Sequence, residues 1–481
     1  MTRLGIITNN ILTFINKREY ATAIIIVAIN LLFRVINLTE NNLWFDEFFS
    51  LYWSQFQSVK EVIHVSDWDV VPPGFNVIVH YWTKLFGISE FSIRFLSCFA
   101  MSLASGIVFI LSKRAFNTRT AIIASIIFLV NTNLFYYSQE SRSYACQMFL
   151  AALSSLLFIC LMRKPNLVYA ILLGAINYCL FYIHFSTMFL FFWQFVFAAF
   201  YFRNHLLNWY FISCCFFLIF LSPFIPRVIQ LVQTNGQNFW LAKPTIQDLI
   251  TYIEEYFNNS YIGILIALLC LVGLFLYFKN YKKREVNSTP ELIYFFLTGV
   301  GFVAIAYIES TLKAPLFLKR YVLVSNIGVI IFVSYLISIV GSNRKVFATI
   351  IAVVVVSGLL TISYTTYKGW NYKRQMAIVK CLKNEETAII TDNELAFYYY
   401  NPDYFTHIYD LQQTISKENI FAVYDTTMFN SIDFSKFKRV VVCNTWKVSN
   451  DNIKSVVLKK FPKTVDILFE NDNCKTHVYS K

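Results

Sequence analysis

The sequence predicts a polytopic α-helical membrane protein that ends in a small α/β domain. First, 57% of the 481 residues are hydrophobic and 14% are charged, whereas soluble chains carry about 25% charged residues. Second, apolar runs recur at about the 20 residues that a helix needs to cross a bilayer. Third, these runs stop near residue 364, and short β-like runs follow. Together these observations exclude a water-soluble enzyme.

About eleven apolar segments have the length and composition of membrane-spanning helices, and the count could rise to about thirteen. The first segment carries no small-residue cleavage site, so we expect it to stay in the protein as an anchor. The segments lie near residues 20–37, 92–112, 119–137, 142–162, 167–183, 185–202, 209–226, 260–278, 291–309, 320–340 and 346–364.

Basic residues in the short loops predict the topology, because Lys and Arg beside the spans are retained in the cytoplasm. Every second loop is short and basic, and the N-terminus lies on the same side as these loops. The basic residues are Arg3, Lys17, Arg18, Lys113, Arg114, Arg119, Arg163, Lys164, Arg203, Lys279, Lys282, Lys283, Arg284, Arg344 and Lys345. The loop at 38–91 and the segment from about 365 are therefore exported. The net charge of +13 follows mostly from this topology and gives little support to nucleic-acid binding.

The chain accordingly divides into a transmembrane module, residues 1–364, and an exported domain, residues 365–481. In the exported domain, short apolar runs typical of strands alternate with more polar stretches such as 372–383. The runs are 388–391, 421–424, 440–442 and 465–469. This alternation favours a small α/β fold.

The first exported loop contains two predicted amphipathic helices. The aromatic residues of the first follow the i, i+3, i+4, i+7 spacing of one helix face; they are Phe45, Phe48, Phe49, Tyr52, Trp53 and Phe56. We expect this face to lie in the membrane interface, with Asp46 and Glu47 turned towards water or a cavity. The second helix follows Pro72 and Pro73, and His80 lies off its apolar face. That face consists of Phe75, Ile78, Val79, Trp82, Leu85 and Phe86.

The acidic pair Asp46 and Glu47 has two interpretations that its position alone leaves open. The helix dipole stabilises carboxylates in a first turn by about 0.3–1 kcal/mol, which requires no function. Alternatively, the pair performs acid–base chemistry at the exported surface. Nearby, Asp67-Trp68-Asp69 matches the D-x-D pattern with which soluble nucleotide-sugar transferases hold a metal. The match is weak, because nucleotide sugars are not expected on the exported side.

Cationic residues at the exported helix ends run against the charge rule. They are Arg34, Arg94, Arg142, Arg227, Lys313, Lys319 and Arg320. Arginine suits phosphate because its planar guanidinium donates two hydrogen bonds at once. The alternative is that each side chain merely extends to the lipid headgroups. His184, at another exported helix end, is expected to be a polar interface residue rather than a ligand.

An ordered set of motifs covers the first third of the chain and one later point. The motifs are Leu43-Trp44-Phe45-Asp46-Glu47, Pro72-Pro73, Leu85-Phe86-Gly87, Ser89-Glu90-Phe91-Ser92-Ile93-Arg94 with Ser97, Tyr136-Tyr137-Ser138-Gln139-Glu140-Ser141-Arg142-Ser143-Tyr144, and Lys319-Arg320-Tyr321. In order and spacing they resemble the bacterial branch of the protein O-mannosyltransferase and aminoarabinose-transferase superfamily. Many relatives carry His or Lys where this chain has Val71, so any substrate contact of that side chain is missing or relocated.

The resemblance implies a GT-C fold in the bacterial inner membrane and a glycosyltransferase activity. The implied donor is a sugar linked through phosphate to a polyprenol, and the acceptor is a hydroxyl of a protein, glycolipid or polysaccharide. Attack from the face opposite the phosphate would invert configuration. The main alternative is a flippase or other transporter of lipid-linked sugars. Transporters usually bind near the bilayer midplane, whereas the ionisable residues here cluster at the exported surface.

The resemblance also implies roles for individual residues. Asp46 matches the catalytic acidic position of the family and is the predicted general base, with Glu47 orienting it. The predicted phosphate-binding residues are Arg142, Arg320, Arg94 and Lys319, of which the first two are favoured. The predicted substrate-binding residues are Asp69, Glu140, Tyr144 and His80. No cofactor is required, although Asp46, Glu47 and Asp69 are possible ligands of a divalent cation.

Overall fold

A computed structural model describes most of the chain in stretches. They are residues 13–66, 71–201, 205–229, 242–256, 260–279, 288–313, 317–341, 344–362, 371–401, 408–444, 451–471 and 474–481. The chain divides into two compact units. The first unit comprises Met1–Ile36, Ser66–Phe75 and Arg94–Tyr364, and the second comprises Asn37–Val65, Asn76–Ile93 and Thr365–Lys481.

Each apolar segment predicted to span the membrane is helical over most of its described residues. In chain order the helices up to residue 361 are α1 (Glu19–Arg34), α2 (Phe45–Ser54), α3 (Val59–Val65), α4 (Gly74–Phe86), α5 (Glu90–Ala115), α6 (Thr118–Val130), α7 (Thr132–Ser138), α8 (Tyr144–Arg163), α9 (Leu167–Ile183), α10 (Met188–Tyr201), α11 (His205–Leu221), α12 (Ile246–Tyr256), α13 (Ser260–Lys279), α14 (Thr289–Phe296), α15 (Phe302–Leu312), α16 (Ser325–Val340) and α17 (Arg344–Thr361). Apolar sequence of this length therefore becomes helix, as expected where backbone groups must satisfy one another in lipid.

Five helical stretches among the described residues are long and apolar enough to cross a membrane. They are Glu90–Ala115, Tyr144–Arg163, Leu206–Ile229, Tyr261–Lys279 and Thr289–Leu312. A sixth would be α6 with α7, which meet at a bend of 59°. The predicted class, a polytopic helical membrane protein, is thereby confirmed. The count of about eleven spans stays a prediction.

A buried arginine from α1 donates hydrogen bonds to backbone carbonyl groups on both sides of the bend between α6 and α7. Nη1 of Arg34 donates to Leu134 O at 2.8 Å, and Nη2 donates to Phe128 O at 3.1 Å. Asn131, at the bend itself, accepts a hydrogen bond from Leu134 N at 3.0 Å. Arg34 thus stabilises a broken helix, which sets it apart from the other cationic residues at the predicted exported ends.

Two glycines allow close helix packing in the first unit. A π-helical turn, Leu297–Gly301, joins α14 to α15 and places Gly299 against Gly328 of α16. A Cβ atom added at Gly328 would lie 2.4 Å from Gly299 N, and one at Gly299 would lie 2.5 Å from Val329 N. Small residues commonly permit such backbone approach between membrane helices.

The C-terminal part of the second unit is an α/β fold, as predicted. Its elements are α18 (Tyr372–Leu382), β1 (Thr387–Thr391), α19 (Glu394–Tyr400), α20 (Leu411–Lys417), β2 (Ile420–Ala422), α21 (Thr426–Asn430), β3 (Arg439–Asn444), α22 (Asp451–Lys460), β4 (Lys463–Asn471) and β5 (Cys474–Ser480). The strand order is β2-β1-β3-β5-β4. Strand β1 runs parallel to β2 and β3, whereas β5 is antiparallel to β3 and β4.

Successive residues of β1 face two hydrophobic cores, because side chains alternate across a strand. Ile389 belongs to a core shared with α2, and Ala388 and Ile390 belong to a core on the other face with Phe429 and Phe461. The four predicted runs coincide with β1 to β4. Strand β5 was not predicted, because polar residues interrupt its sequence, CKTHVYS.

Part of the aromatic face of α2 packs on protein, which corrects the prediction that the whole face lies in the membrane interface. Phe48 is 1% exposed, and its ring lies 5.2 Å from that of Tyr372 and 5.8 Å from that of Tyr400. The Tyr52 hydroxyl donates to Ile408 O at 2.5 Å. An apolar helical stripe shows that a helix has a partner but not whether that partner is lipid or protein.

Candidate active site

The acidic pair lies in the first turn of α2, and its two members differ in environment. Glu47 is fully buried, and its Oε2 accepts a hydrogen bond from Trp44 N at 3.1 Å. This contact satisfies one of the amide groups that a helix start leaves open. Asp46 is half-buried, so its carboxylate retains access to the surroundings. Glu47 therefore fixes the start of the helix that carries Asp46.

A chain of polar contacts within the second unit holds the residues just before Asp46. The Tyr400 hydroxyl accepts from Leu43 N at 3.1 Å and donates to Glu90 at 2.9 Å. Lys373 Nζ lies 2.7 Å from the other Glu90 oxygen. Burial, with the neighbouring Glu90 charge, raises the pKa of Tyr400 far above its usual range, so this hydroxyl stays a neutral donor. Sequence reasoning missed these positioning contacts, although Glu90 falls in one of the motifs.

Three predicted site residues, Arg142, Tyr144 and Arg320, lie near His184 and Tyr321 in the first unit. We call these five residues the arginine–histidine cluster. The His184 ring lies 5.9 Å from the Tyr144 ring and 5.0 Å from the Tyr321 ring. The Arg320 guanidinium lies 5.5 Å from the centre of the Tyr321 ring. Arg142 is 8% exposed and precedes α8, whereas Arg320 is half-buried and lies in the turn before α16. Folding thus joins both motif arginines at one place.

His184 is neutral in this cluster and has a defined tautomer. Burial, and then the charges of Arg142 and Arg320, lower the pKa of His184 to about 3. Its Nδ1 accepts a hydrogen bond from Ser186 N at 3.2 Å, so the single proton of the neutral ring lies on Nε2. Nε2 is buried and has no hydrogen-bond partner among the described residues. The cluster therefore combines two guanidinium groups with an imidazole N–H donor.

The other predicted site residues lie in varied surroundings. Arg94 is buried in α5, and Lys319 is exposed. Glu140 is 1% exposed, and its backbone oxygen accepts from Arg142 N at 2.9 Å. Nδ1 of the buried His80 donates to the backbone oxygen of Ser54 at 2.8 Å, which ties α4 to α2.

Asp69 lies outside the described residues, so the possible cation site with Asp46 and Glu47 stays a prediction. Within the stretches that the structure describes, no three His, Cys, Asp or Glu side chains are grouped so that they could hold a metal ion. The second unit supplies a carboxylate on α2, which suits proton transfer. The first unit supplies cationic and N–H donors, which suit the stabilisation of negative charge.

Comparison with known proteins gives a family match over part of the chain. Residues 70–229 match the family model described as dolichyl-phosphate-mannose-protein mannosyltransferase. No curated protein sequence matches significantly. The family match supports the resemblance seen in the motifs between residues 70 and 229 and the predicted class, a glycosyltransferase of the GT-C type.

Solved structures share the fold. ArnT from Cupriavidus metallidurans bound to undecaprenyl phosphate is 12% identical, with a TM-score of 0.55, over 95% of this chain and 98% of that one. An oligosaccharyltransferase from Archaeoglobus fulgidus tethered to an acceptor peptide is 10% identical, with a TM-score of 0.50, over 98% and 75%. AglB from the same organism, in complex with an inhibitory peptide and a dolichol-phosphate, is 10% identical, with a TM-score of 0.51, over 92% and 71%.

Proposed function

We propose that this protein transfers a sugar from a polyprenyl-phosphate donor to an acceptor hydroxyl on the exported side of a bacterial inner membrane. The arginine–histidine cluster is the observation that carries this proposal. Two arginines and a neutral histidine N–H meet there, at helix ends of a membrane protein. A lipid-linked phosphate is the ligand that needs both an apolar surrounding and such donors.

The cluster would hold the donor phosphate and stabilise it as a leaving group. Arg142 and Arg320 carry full positive charges in a poorly hydrated place, where their attraction for a developing negative charge exceeds that in water. His184 would add its Nε2–H, a donor that has no partner among the described residues. Tyr144 would line the same place. Arg94 and Lys319 are assigned to the donor phosphate by the family resemblance.

Asp46 would act as the general base. Its carboxylate takes the proton of the acceptor hydroxyl while the acceptor oxygen bonds to the anomeric carbon. The bond between that carbon and the phosphate oxygen breaks, and its electron pair leaves on the phosphate. A displacement in line inverts the sugar without a covalent enzyme intermediate. Glu47 supports Asp46 through the helix start that it caps.

The assignments of topology, domains, substrate contacts and acceptor rest on the sequence. Eleven spans with a cytoplasmic N-terminus would export the segment from about 365, so that module 1–364 binds the lipid and domain 365–481 lies outside. Glu140, Asp69 and His80 would contact substrate. The acceptor would be a protein, glycolipid or polysaccharide. A divalent cation at Asp46, Glu47 and Asp69 is a further possibility that metal removal tests.

Replacing Asp46 tests the proposal. We expect Asp46→Asn to abolish sugar transfer from a polyprenyl-phosphate donor in reconstituted membranes, because the amide cannot take the proton. General base catalysis is worth about 10²- to 10⁴-fold in rate. Radiolabelled sugar in the acceptor fraction is the measurement, and thermal melting checks that the variant folds.

Glu40→Gln is the matched control, because Glu40 is an exposed acid a few residues before Asp46. This control should transfer sugar at the parent rate. Full transfer by Asp46→Asn would reject Asp46 as the base. If the parent protein moves the donor across vesicles and never transfers sugar, the transporter alternative is correct.

A further inference from the structure

The second unit contains a cavity of about 610 Å³ beside α2. Its size lies within the range of about 300–1,000 Å³ typical of small-molecule sites. From α2 it is lined by Phe45, Phe49, Tyr52 and Trp53. The Phe49 ring lies 4.8 Å from the Phe45 ring and 5.0 Å from the Trp53 ring. This row of rings forms an aromatic wall.

The remainder of the cavity carries negative charge. Asp392, Glu394 and Asp410 line it, and the described lining residues include neither Lys nor Arg. Burial raises the pKa of Tyr52 to about 12, and the charges of Glu394 and Asp410 add to this shift. Phosphate and other anions are therefore repelled from this cavity.

A buried asparagine amide in the cavity lining has an N–H donor that makes no hydrogen bond within the described part of the chain. Asn393 is 2% exposed, and its Oδ1 accepts from Ala396 N at 3.2 Å, which caps α19. Its Nδ2 has no hydrogen-bond partner in the described part of the chain. A buried donor without a partner costs about 1–3 kcal/mol, so a ligand oxygen at this position would be stabilised. The amides of Gln412 and Gln413 also line the cavity.

We propose that this cavity binds a carbohydrate without acidic groups. A sugar ring packs its C–H face on aromatic rings, and its hydroxyls donate to carboxylates and accept from amides. The three carboxylates also tolerate an amino group on the sugar.

The cavity shares α2 with Asp46, since Phe45 precedes Asp46 and Phe49 follows it by one turn. A carbohydrate held there lies against the helix that carries the proposed base. The cavity is therefore the binding site for a glycan acceptor; this assignment rests on the proposed transfer function, whereas carbohydrate binding itself does not.

Binding to a glycan array tests the cavity directly. Full-length protein in detergent, without donor, is applied to neutral, amine-bearing and acidic oligosaccharides, and the affinity of the glycans retained is measured by calorimetry. We expect neutral or amine-bearing glycans to bind and acidic ones not to bind. Trp53→Ala and Asp410→Asn should each weaken binding by about tenfold or more.

Asp410 is exposed, so its substitution should leave folding intact even if Trp53→Ala is unstable. Asp433→Asn removes an exposed acid that does not line the cavity and should bind like the parent protein. Three results would overturn the proposal. Acidic glycans would bind as well as neutral ones, Asp410→Asn would leave the affinity unchanged, or the protein would bind a lysine-rich peptide and no glycan. Asp46→Asn should retain binding although it loses transfer. If the parent protein binds glycans but transfers no sugar to them, only the acceptor role is rejected.

Discussion

At the scale of single residues, His184 makes the stability of the folded protein sensitive to acid. The folded protein keeps this imidazole neutral down to a pKa of about 3, against 6.5 for an ordinary histidine. Between these values the unfolded chain binds a proton that the folded chain does not, so stability falls as pH falls. We expect His184→Gln to reduce the drop in melting temperature between pH 7.5 and pH 5, measured by differential scanning fluorimetry in detergent.

His64→Gln is the matched control, because His64 is an exposed histidine and should leave the pH dependence of melting unchanged. An undiminished drop in His184→Gln would show that His184 is protonated in the folded protein. The cluster would then present three positive charges, which would change how it is expected to bind a phosphate.

The sequence indicates single candidate residues but not their arrangement. Asp46, Arg142 and Arg320 are candidates because each lies in a short motif. His184 was placed at an exported helix end but expected to be a polar interface residue, since its two arginine neighbours are distant in sequence. Only folding brings such residues together, and burial and the two arginine charges then lower the pKa of the imidazole.

At the scale of secondary-structure elements, the contact between the π-helical turn and α16 depends on the absence of side chains. We expect Gly328→Ala to lower the melting temperature, because its Cβ would lie 2.4 Å from Gly299 N and backbone would have to move. Overpacking of this kind costs about 1–3 kcal/mol. Thermal melting monitored by circular dichroism is the measurement.

Gly263→Ala provides the comparison within α13, where an added Cβ meets nothing within 4 Å. There alanine should be neutral or stabilising by about 1 kcal/mol, because it favours helix more than glycine does. Similar melting of the two variants would mean that the glycine contact does not limit packing.

Apolar length predicted the helices because it is a local property of the chain. The surface against which a helix packs is not a local property, because residues distant in sequence form it. Phe48 of α2 is buried against tyrosines of the C-terminal elements, whereas Leu85 and Phe86 at the end of α4 are 77% and 61% exposed. Both helices have amphipathic sequences. The spacing of apolar residues in the sequence could not show that α4, unlike α2, leaves large apolar side chains exposed.

At the scale of the whole molecule, the charge distribution makes a prediction about sidedness. Basic loops alternate along the chain, and about eleven spans would place the two termini on opposite sides of the membrane. One compact unit contains Asp46, the α/β elements after residue 371 and the cavity proposed to bind a glycan, here called the glycan cavity. All three would therefore be exported together. A protein whose acceptor lies outside the cytoplasm requires this arrangement.

Reporter fusions measure that sidedness. Alkaline phosphatase, which is active only outside the cytoplasm, should be active when fused after Lys481 and inactive when fused after Arg284, in a loop rich in basic residues. The second fusion is the control for sidedness, because it places the same reporter on the predicted cytoplasmic side. Activity after Arg284 together with inactivity after Lys481 would invert the topology, and inactivity at both positions would require an even number of spans. In either case the glycan cavity would face the cytoplasm, and an exported acceptor could not reach it.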